Sequence, residues 1–200
     1  TPVTLAGTTS IIDTTNAGGV VAGAGITVNG AVDGTVADTQ SLTLNAGTGG
    51  VIGFGSTVGT GTSLKTLTVT NSGGATFTGA VTTDTSVVLT DTTDAANITF
   101  TGALTTPTLT TATQGYDLDL LGNGTSITNA VTFANTGTLQ LGDAAGDVLT
   151  FTGGVTALAP SGVTLNAELR TAGTAVSLGD AGTPVTLAGT TSIIDTTNAG

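Results

Sequence analysis

The sequence begins and ends with the same eighteen residues. Thr1 to Gly18 reads TPVTLAGTTSIIDTTNAG, and residues 183–200 repeat these letters without a change at an offset of 182. Self-similarity at a fixed offset is the sequence signature of repeat architectures. We therefore interpret residues 1–182 as one tandem repeat unit and residues 183–200 as the start of the next identical unit. We expect the chain to be a window onto a longer array.

Phenylalanines mark a shorter period inside this unit. Phe54, Phe77 and Phe100 are evenly spaced, and the last two occur in similar strings, ATFTGAVTT at 75–83 and ITFTGALTT at 98–106. Their spacing of ~23 residues lies in the range of known structural repeats. The 182-residue unit is close to eight times as long as this spacing. The unit is therefore predicted to contain about eight coils of ~23 residues, which at a strand spacing of ~4.8 Å advance roughly 38 Å along an axis.

Short strings that alternate apolar and polar residues recur along the whole chain. They are typical of half-buried strands, and Gly, Asn or Asp follows most of them as turn residues. Thr supplies a quarter of the chain and Gly another 32 residues, and both disfavour helix. A mean hydropathy of +0.40 still allows a buried core. Because strand-like strings at 176–178 and 185–187 run through the unit boundary without a linker, we predict a continuous all-β parallel β-solenoid rather than separate sandwiches or barrels.

The alternation predicts which side chains enter the bore of such a solenoid. In the string Leu67-Thr68-Val69 the leucine and valine point inward and the threonine points outward. The same pattern in the second copy directs Val185 and Leu187 inward. The even spacing of the phenylalanines predicts that Phe77 stacks on Phe100, and the glycine-rich segments 47–50, 71–74 and 122–124 are expected to supply bends with positive φ.

The strings LTVTNSGGATFTGAV (67–81) and ANITFTGALTT (96–106) resemble the β-strand repeats of giant secreted bacterial surface proteins of the filamentous-haemagglutinin and autotransporter-adhesin type. The resemblance covers essentially the whole chain through its style of repeat, without a site motif. It implies a right-handed parallel β-helix, an extracellular or cell-surface location, and a role in adhesion or in an extracellular fibre or sheath.

The charge balance restricts the partners. Two basic residues, Lys65 and Arg170, stand against thirteen acidic ones, for a net charge of −11. Nucleic acid is not an expected partner, because phosphate binding needs clustered basic residues, and no apolar run is long enough to insert into a membrane. The expected partner is the chain itself, through end-to-end and also lateral association into a fibre.

Acidic residues near glycine are the candidate metal ligands. Asp143 and Asp147 lie in GDAAGD, and Asp180 lies in LGDAG. Neither the calcium-binding nonapeptide nor the EF-hand pattern occurs, so we interpret these carboxylates as turn caps. We predict no cofactor and no metal site, although an acidic surface leaves loosely bridged calcium open.

Asp117 and Asp119 alternate with apolar residues and are expected to share one outward face. Such a pair could serve a glycosidase, but a solvated face that blocks sideways aggregation is the simpler interpretation. With no Cys and no His, and with Lys65 and Arg170 expected on the surface, we predict no catalytic residues and no enzyme activity.

Outward threonines raise one further hypothesis, that of a surface that binds ice or polysaccharide. The outward positions of the strings, among them Thr68, Asp117, Gln140 and Ser177, differ from one another, which argues against the uniform array that ice binding needs. Asn97 and Asn123 fit the N-glycosylation pattern. The predicted function is a structural extracellular fibre or sheath without catalysis, with an adhesin stalk that presents a distal binding tip as the alternative.

Overall fold

The computed structural model describes residues 1–197, and every regular element in that range is a short β-strand. In chain order the strands are β1 (Val3–Leu5), β2 (Thr9–Asp13), β3 (Ile26–Val28), β4 (Val32–Gly34), β5 (Ser41–Asn45), β6 (Ile52–Phe54), β7 (Leu64–Asn71), β8 (Ala75–Phe77), β9 (Val81–Leu89), β10 (Asn97–Phe100), β11 (Leu104–Thr106), β12 (Thr108–Thr111), β13 (Asp117–Leu120), β14 (Ser126–Ile127), β15 (Val131–Thr132), β16 (Thr138–Leu141), β17 (Val148–Phe151), β18 (Val155–Ala157), β19 (Gly162–Leu165), β20 (Glu168–Arg170), β21 (Val176–Leu178), β22 (Val185–Leu187) and β23 (Ile193–Asp195).

The strands form three faces that the chain visits in rotation, and one visit to each face makes one coil. Face 1 is an eight-stranded parallel sheet in the order β22-β19-β16-β13-β10-β8-β6-β3. Face 2 follows it along the chain and contains β1, β4, the first part of β9, β11, β14, β17, β20 and β23. Val58 bridges β4 to β9 on this face.

Face 3 contains β2, β5, β7, the second part of β9 and β12. Strands β15, β18 and β21 continue it, and the Ala134 amide donates to Thr111 Oγ1 at 2.7 Å where β12 meets β15. Strand β9 turns the corner between faces 2 and 3, so the two faces share one ten-stranded sheet. The all-β class and the parallel β-solenoid are confirmed.

Face 1 gives the average coil length of the rod. On face 1, Ile26 and Val185 lie in the same column, seven pairings apart. The average step between them is about 23 residues, a period typical of stacked repeats. Residues 26–185 therefore make seven coils, and the coil length taken from the phenylalanines is confirmed.

The core follows the predicted alternation. Leu67 and Val69 are fully buried while Thr68 between them is half-buried on the outside. Phe77 stacks on Phe100 with ring centroids 4.9 Å apart and on Phe54 with centroids 5.3 Å apart. The predicted bends are also confirmed, because Gly47, Gly74 and Gly124 all have positive φ.

Several threonines depart from the expected outward direction. Thr83 and Thr106 are buried, and their hydroxyl groups lie 2.7 Å apart. The Thr106 hydroxyl donates in turn to the Thr108 carbonyl at 3.1 Å, so the pair satisfies its own hydrogen bonds in the bore. Each occupies the inward position two residues after a buried Val81 or Leu104, and a partner hydroxyl on the neighbouring coil allows a polar side chain to be buried there.

The two copies of the eighteen-residue segment lie on different faces. Val3–Leu5 pairs with Val32–Gly34 on face 2, whereas Val185–Leu187 pairs with β19 on face 1. Eight face-2 pairings carry the chain from Val3 to Ile194 rather than to Val185. The offset of 182 thus spans eight coils less one face in this chain, where the sequence predicted about eight.

Candidate functional site

The outward side of face 1 is one column of residues in register. Thr27, Gly53, Thr76, Thr99, Asp119, Gln140, Thr164 and Thr186 follow one another from coil to coil. The column mixes threonine with an acid, an amide and a glycine, so it is not a uniform array. Its composition suits a solvated surface that limits lateral pairing of sheets.

The Asp117 and Asp119 carboxylates bond to neighbouring coils. Asp117 Oδ1 accepts from the Thr138 amide at 2.5 Å. Asp119 Oδ2 accepts from Asn97 Nδ2 at 2.7 Å and from the Thr99 hydroxyl at 3.0 Å. Both carboxylates lie on the outward side, as predicted, and they join successive coils across the face.

The three aspartates considered for calcium act within turns. Asp147 Oδ2 accepts from the amides of Asp143 at 3.0 Å and Ala144 at 2.9 Å. Asp180 Oδ1 accepts from the amides of Gly182 and Thr183. Desolvation, and after it the neighbouring carboxyl group of Asp147, raises the pKa of Asp143. The turn-cap interpretation is confirmed for Asp147 and Asp180, whereas Asp143 donates its backbone amide to the Asp147 cap. Residues 1–197 hold no cluster of three or more Asp, Glu, His or Cys side chains placed to bind a metal.

The two basic residues lie on the surface. Lys65 is exposed on β7, and Arg170 Nε donates to Glu168 Oε1 at 2.7 Å across β20. Glu168 also raises the pKa of Arg170. Arg170 stands in register with Thr150 and Asp195 on face 2.

The asparagines of the glycosylation pattern both serve the fold. Asn97 donates to Asp119, as described above, and Asn123 Oδ1 accepts from the Val148 amide at 3.0 Å. Each therefore joins two coils through its side-chain amide.

Face 3 carries a row of hydroxyl residues beside a row of β-branched residues, and both were missed in the sequence. Thr66 and Thr68 stand side by side on β7 in register with Ser41 and Thr43 on one side and with Ser86 and Val88 on the other. The rows extend to Thr9 and Ile11 on β2 and to Thr108 and Thr110 on β12. One column is thus Ser or Thr over five coils, and the other is β-branched throughout.

The outward residues whose variety spoke against a uniform array lie on different faces. Thr68 and Ser177 belong to face 3, but to different sheets of it, whereas Asp117 and Gln140 belong to face 1. Residues on different faces cannot form one surface, so their variety says nothing about regularity. A comparison along face 3 alone would have found the rows.

A polar groove of about 360 Å³ opens at the corner after face 3. Asn45 and Asn71, which pair in register, line it together with Asp91 and Gln114. Gly18 and Val21 of the loop at 14–25 form its remaining wall, so the groove depends on where the first copy of the repeated segment lies.

Both ends of the rod expose large apolar side chains, among them the inward-facing Val185 and Leu187. The exposed large apolar residues of the two end coils are Val3, Ile11, Ile12, Val20 and Val21 at one end and Val185, Leu187, Ile193 and Ile194 at the other. At the first end, β3 is the last strand of face 1 and pairs only with β6. At the second end, β22 pairs only with β19. Each end of the described chain therefore presents a free strand edge beside exposed apolar residues.

Among the described residues there is no helix long and apolar enough to cross a membrane. Comparison of the chain with protein-family models, with characterised proteins and with solved structures finds no match.

Proposed function

We propose that the chain is a structural segment of an extracellular fibre or sheath built from tandem β-solenoid units. The observation that carries the proposal is the pair of open ends, each bearing the same eighteen-residue segment. Unpaired strand edges are sites for adding further strands, and identical segments allow units to follow one another without a linker. The extracellular or cell-surface location rests on the resemblance to bacterial surface-protein repeats.

The rod's mechanism is mechanical and needs no chemistry at a site. Backbone amides pair along the axis in every coil, and each coil contacts only its neighbours, as in other solenoids. With one Lys and one Arg in the chain, trypsin-like proteases have two cleavage positions. Length, stiffness and resistance to proteolysis are the properties that such a fibre supplies.

Imaging of the native assembly tests this proposal. Eight coils stacked at ~4.8 Å predict an axial repeat of roughly 38 Å. The purified chain is expected to associate end to end as its concentration rises. A monodisperse monomer at all concentrations, with no extended assembly in the native source, would count decisively against a fibre.

An adhesin stalk that presents a distal binding tip is the alternative within the same architecture. It differs in what the rod leads to, because a stalk ends in a non-repetitive domain whereas a fibre continues in identical units. Reading the gene beyond the repeats separates the two.

The hydroxyl row of face 3, together with the β-branched row beside it, favours one further candidate, recognition of a regular surface such as ice or a polysaccharide. Two columns that include Thr66 and Thr68 run in register over five coils. Thermal hysteresis and co-sedimentation with insoluble polysaccharide measure it directly. Thr66→Lys with Thr43→Lys should abolish either activity, whereas Thr76→Lys and Thr99→Lys on face 1 should leave it intact.

A further inference from the structure

We propose that the open face-1 edge at the start of the rod, formed by Ile26–Val28, is the docking site for the Val185–Asp195 coil of a second copy of this chain. In the single chain, residues 1–25 lie one face further along the coil than the second copy of the segment does. Strand β1 therefore pairs with β4 and closes the neighbouring face-2 edge. The proposal rests on the proposed fibre and specifies how its units join.

The repeated segment keeps its local structure in both places. Val-Thr-Leu is a strand in both copies, and so is Ile-Ile-Asp. Asp13 Oδ1 accepts from the Thr15 amide and hydroxyl, both at 2.6 Å, and these hydrogen bonds lower the pKa of Asp13. Asp195 Oδ1 accepts from the Thr197 amide at 2.8 Å and hydroxyl at 2.7 Å. Only the face differs, so neighbouring coils and not the segment itself decide where it lies.

The first coil is longer than the other coils. The widest step between paired strands elsewhere is that from Ile26 to Ile52, but the first copy takes the longer steps from Val3 to Val32 and from Thr9 to Ser41. The surplus forms the loop at 14–25, in which Asn16 and Ala17 both have positive φ, at 55° and 54°. Consecutive non-glycine residues rarely adopt that conformation. The first coil is therefore longer and more strained than the others.

The face order seen at the second copy removes this irregularity. If β22 of one copy lies on Ile26–Val28 of the next, Val185 takes the place of Val3 in the array, and Val3 precedes Ile26 by the same step as Phe54 precedes Phe77. Ile194 likewise takes the place of Ile12, which precedes Val32 by the same step as Leu67 precedes Val87. The unit then closes after eight whole coils, as the sequence predicted.

Docking also covers apolar side chains that are exposed in the single chain. Val20 and Val21 are 51% and 69% exposed in the loop, yet they precede the buried Leu42 by about one coil. In the docked arrangement this pair reaches face 3 beside Leu42. Val185 and Leu187, now 39% and 62% exposed, are covered by Ile26 and Val28 of the neighbouring copy.

Cysteine pairing tests the register, and the absence of native cysteines removes any background. Docking places Thr186 of one copy beside Thr27 of the next. Cα atoms on adjacent strands lie ~4.8 Å apart, within the range that a disulfide spans. Within one chain these two residues lie seven strand spacings apart, roughly 34 Å. Oxidation of the double variant Thr27→Cys/Thr186→Cys should therefore give a ladder of multiples of 19.0 kDa on non-reducing gels.

The matched variant is Asp33→Cys/Thr186→Cys. Thr4 now lies opposite Asp33, so a ladder through this pair would mean that the docked segment takes the face-2 place, and the proposal would be overturned. Absence of a ladder in both variants also overturns it. Because the register brings Asp195 beside Asp33 of the next copy, the oxidation is run near 1 M salt, where the Debye length is ~3 Å.

A second measurement asks whether residues 1–25 must move. Thr4→Cys/Asp33→Cys fixes β1 on face 2 when oxidised, and end-to-end assembly measured by sedimentation should fall to the monomer and recover on reduction. Thr76→Cys/Thr99→Cys joins two central coils and should leave assembly unchanged. If the oxidised Thr4→Cys/Asp33→Cys variant assembles fully, residues 1–25 need not leave face 2 for docking, and that part of the proposal is refuted.

Imaging separates failure of this inference from failure of the proposed function. If fibres show a roughly 38 Å repeat but cross-link only through the Asp33→Cys/Thr186→Cys variant, the proposed fibre function stands and the docking register is refuted. Absence of fibres in the native source would refute the proposed function itself.

Discussion

The phenylalanine stack allows the sharpest test of how the rod is stabilised. Phe77 is fully buried and stacks on two rings, with centroids 5.3 Å from Phe54 and 4.9 Å from Phe100. Phe77→Ala removes a large core side chain and leaves a cavity between two coils, which typically costs ~3–5 kcal/mol. Phe54 contacts only one ring of the stack. We therefore expect Phe54→Ala to cost less than Phe77→Ala by one aromatic pair, ~0.5–1.5 kcal/mol.

Urea denaturation followed by far-UV circular dichroism and by Tyr116 fluorescence measures these differences. The matched control is Thr76→Ala, on the same strand but exposed to solvent, which should cost less than ~1 kcal/mol. Because coils interact mainly with their neighbours, the two probes must give one transition before free energies are compared. If Phe77→Ala costs no more than Thr76→Ala, the stacked core does not hold the coils together and the reasoning is refuted.

Three further predictions follow from buried polar groups and turn carboxylates. Thr106→Val leaves the buried Thr83 hydroxyl without its acceptor and should cost ~1–3 kcal/mol in urea denaturation, whereas the double variant Thr83→Val/Thr106→Val should cost less than that single change. Burial raises the pKa of Tyr116 to about 12 from 10.0. Because the unfolded chain ionises first, the free energy of unfolding should fall as the pH rises from 10 to 12, and Tyr116→Phe should remove that part of the slope. Asp147→Ala removes the acceptor for two turn amides and should lower stability by ~1 kcal/mol, and the carboxyl resonance of Asp143 should then titrate at lower pH.

Local features of the fold were readable from the sequence because they depend on neighbouring residues. Alternation in Leu67-Thr68-Val69 gives the direction of each side chain, and the even spacing of Phe54, Phe77 and Phe100 gives the coil length and the stack. Glycine at 74 supplies a bend that an L-residue with a Cβ rarely adopts. Each of these needs only residues within one coil or at a fixed period.

The assignment of strands to faces could not be read in the same way. The segments that turn the corners vary in length, so the step between paired strands ranges from that of Leu64 and Thr83 to that of Thr9 and Ser41. The two-residue alternation shows which side chains point inward, but it does not show on which face a strand lies. For this reason Thr68 was compared with residues of face 1 as if on one surface, and the rows on face 3 were missed. The burial of Thr83 depends in the same way on a hydroxyl a full coil away, that of Thr106.

Joining units, as proposed for the fibre, should make a long array more stable than a single chain. Val185, Leu187 and Ile194, which stand in register with buried residues of the preceding coil, are 39–62% exposed on the last coil. Completing the burial of each yields roughly half of the ~1.5–3 kcal/mol of a full side chain, or on the order of 2–5 kcal/mol for the three. An array has two such ends whatever its number of units, so the cost per unit falls as units are added. A chain of two joined units should therefore resist urea better than the single chain, and equal midpoints would show that the junction buries no more than the open ends do.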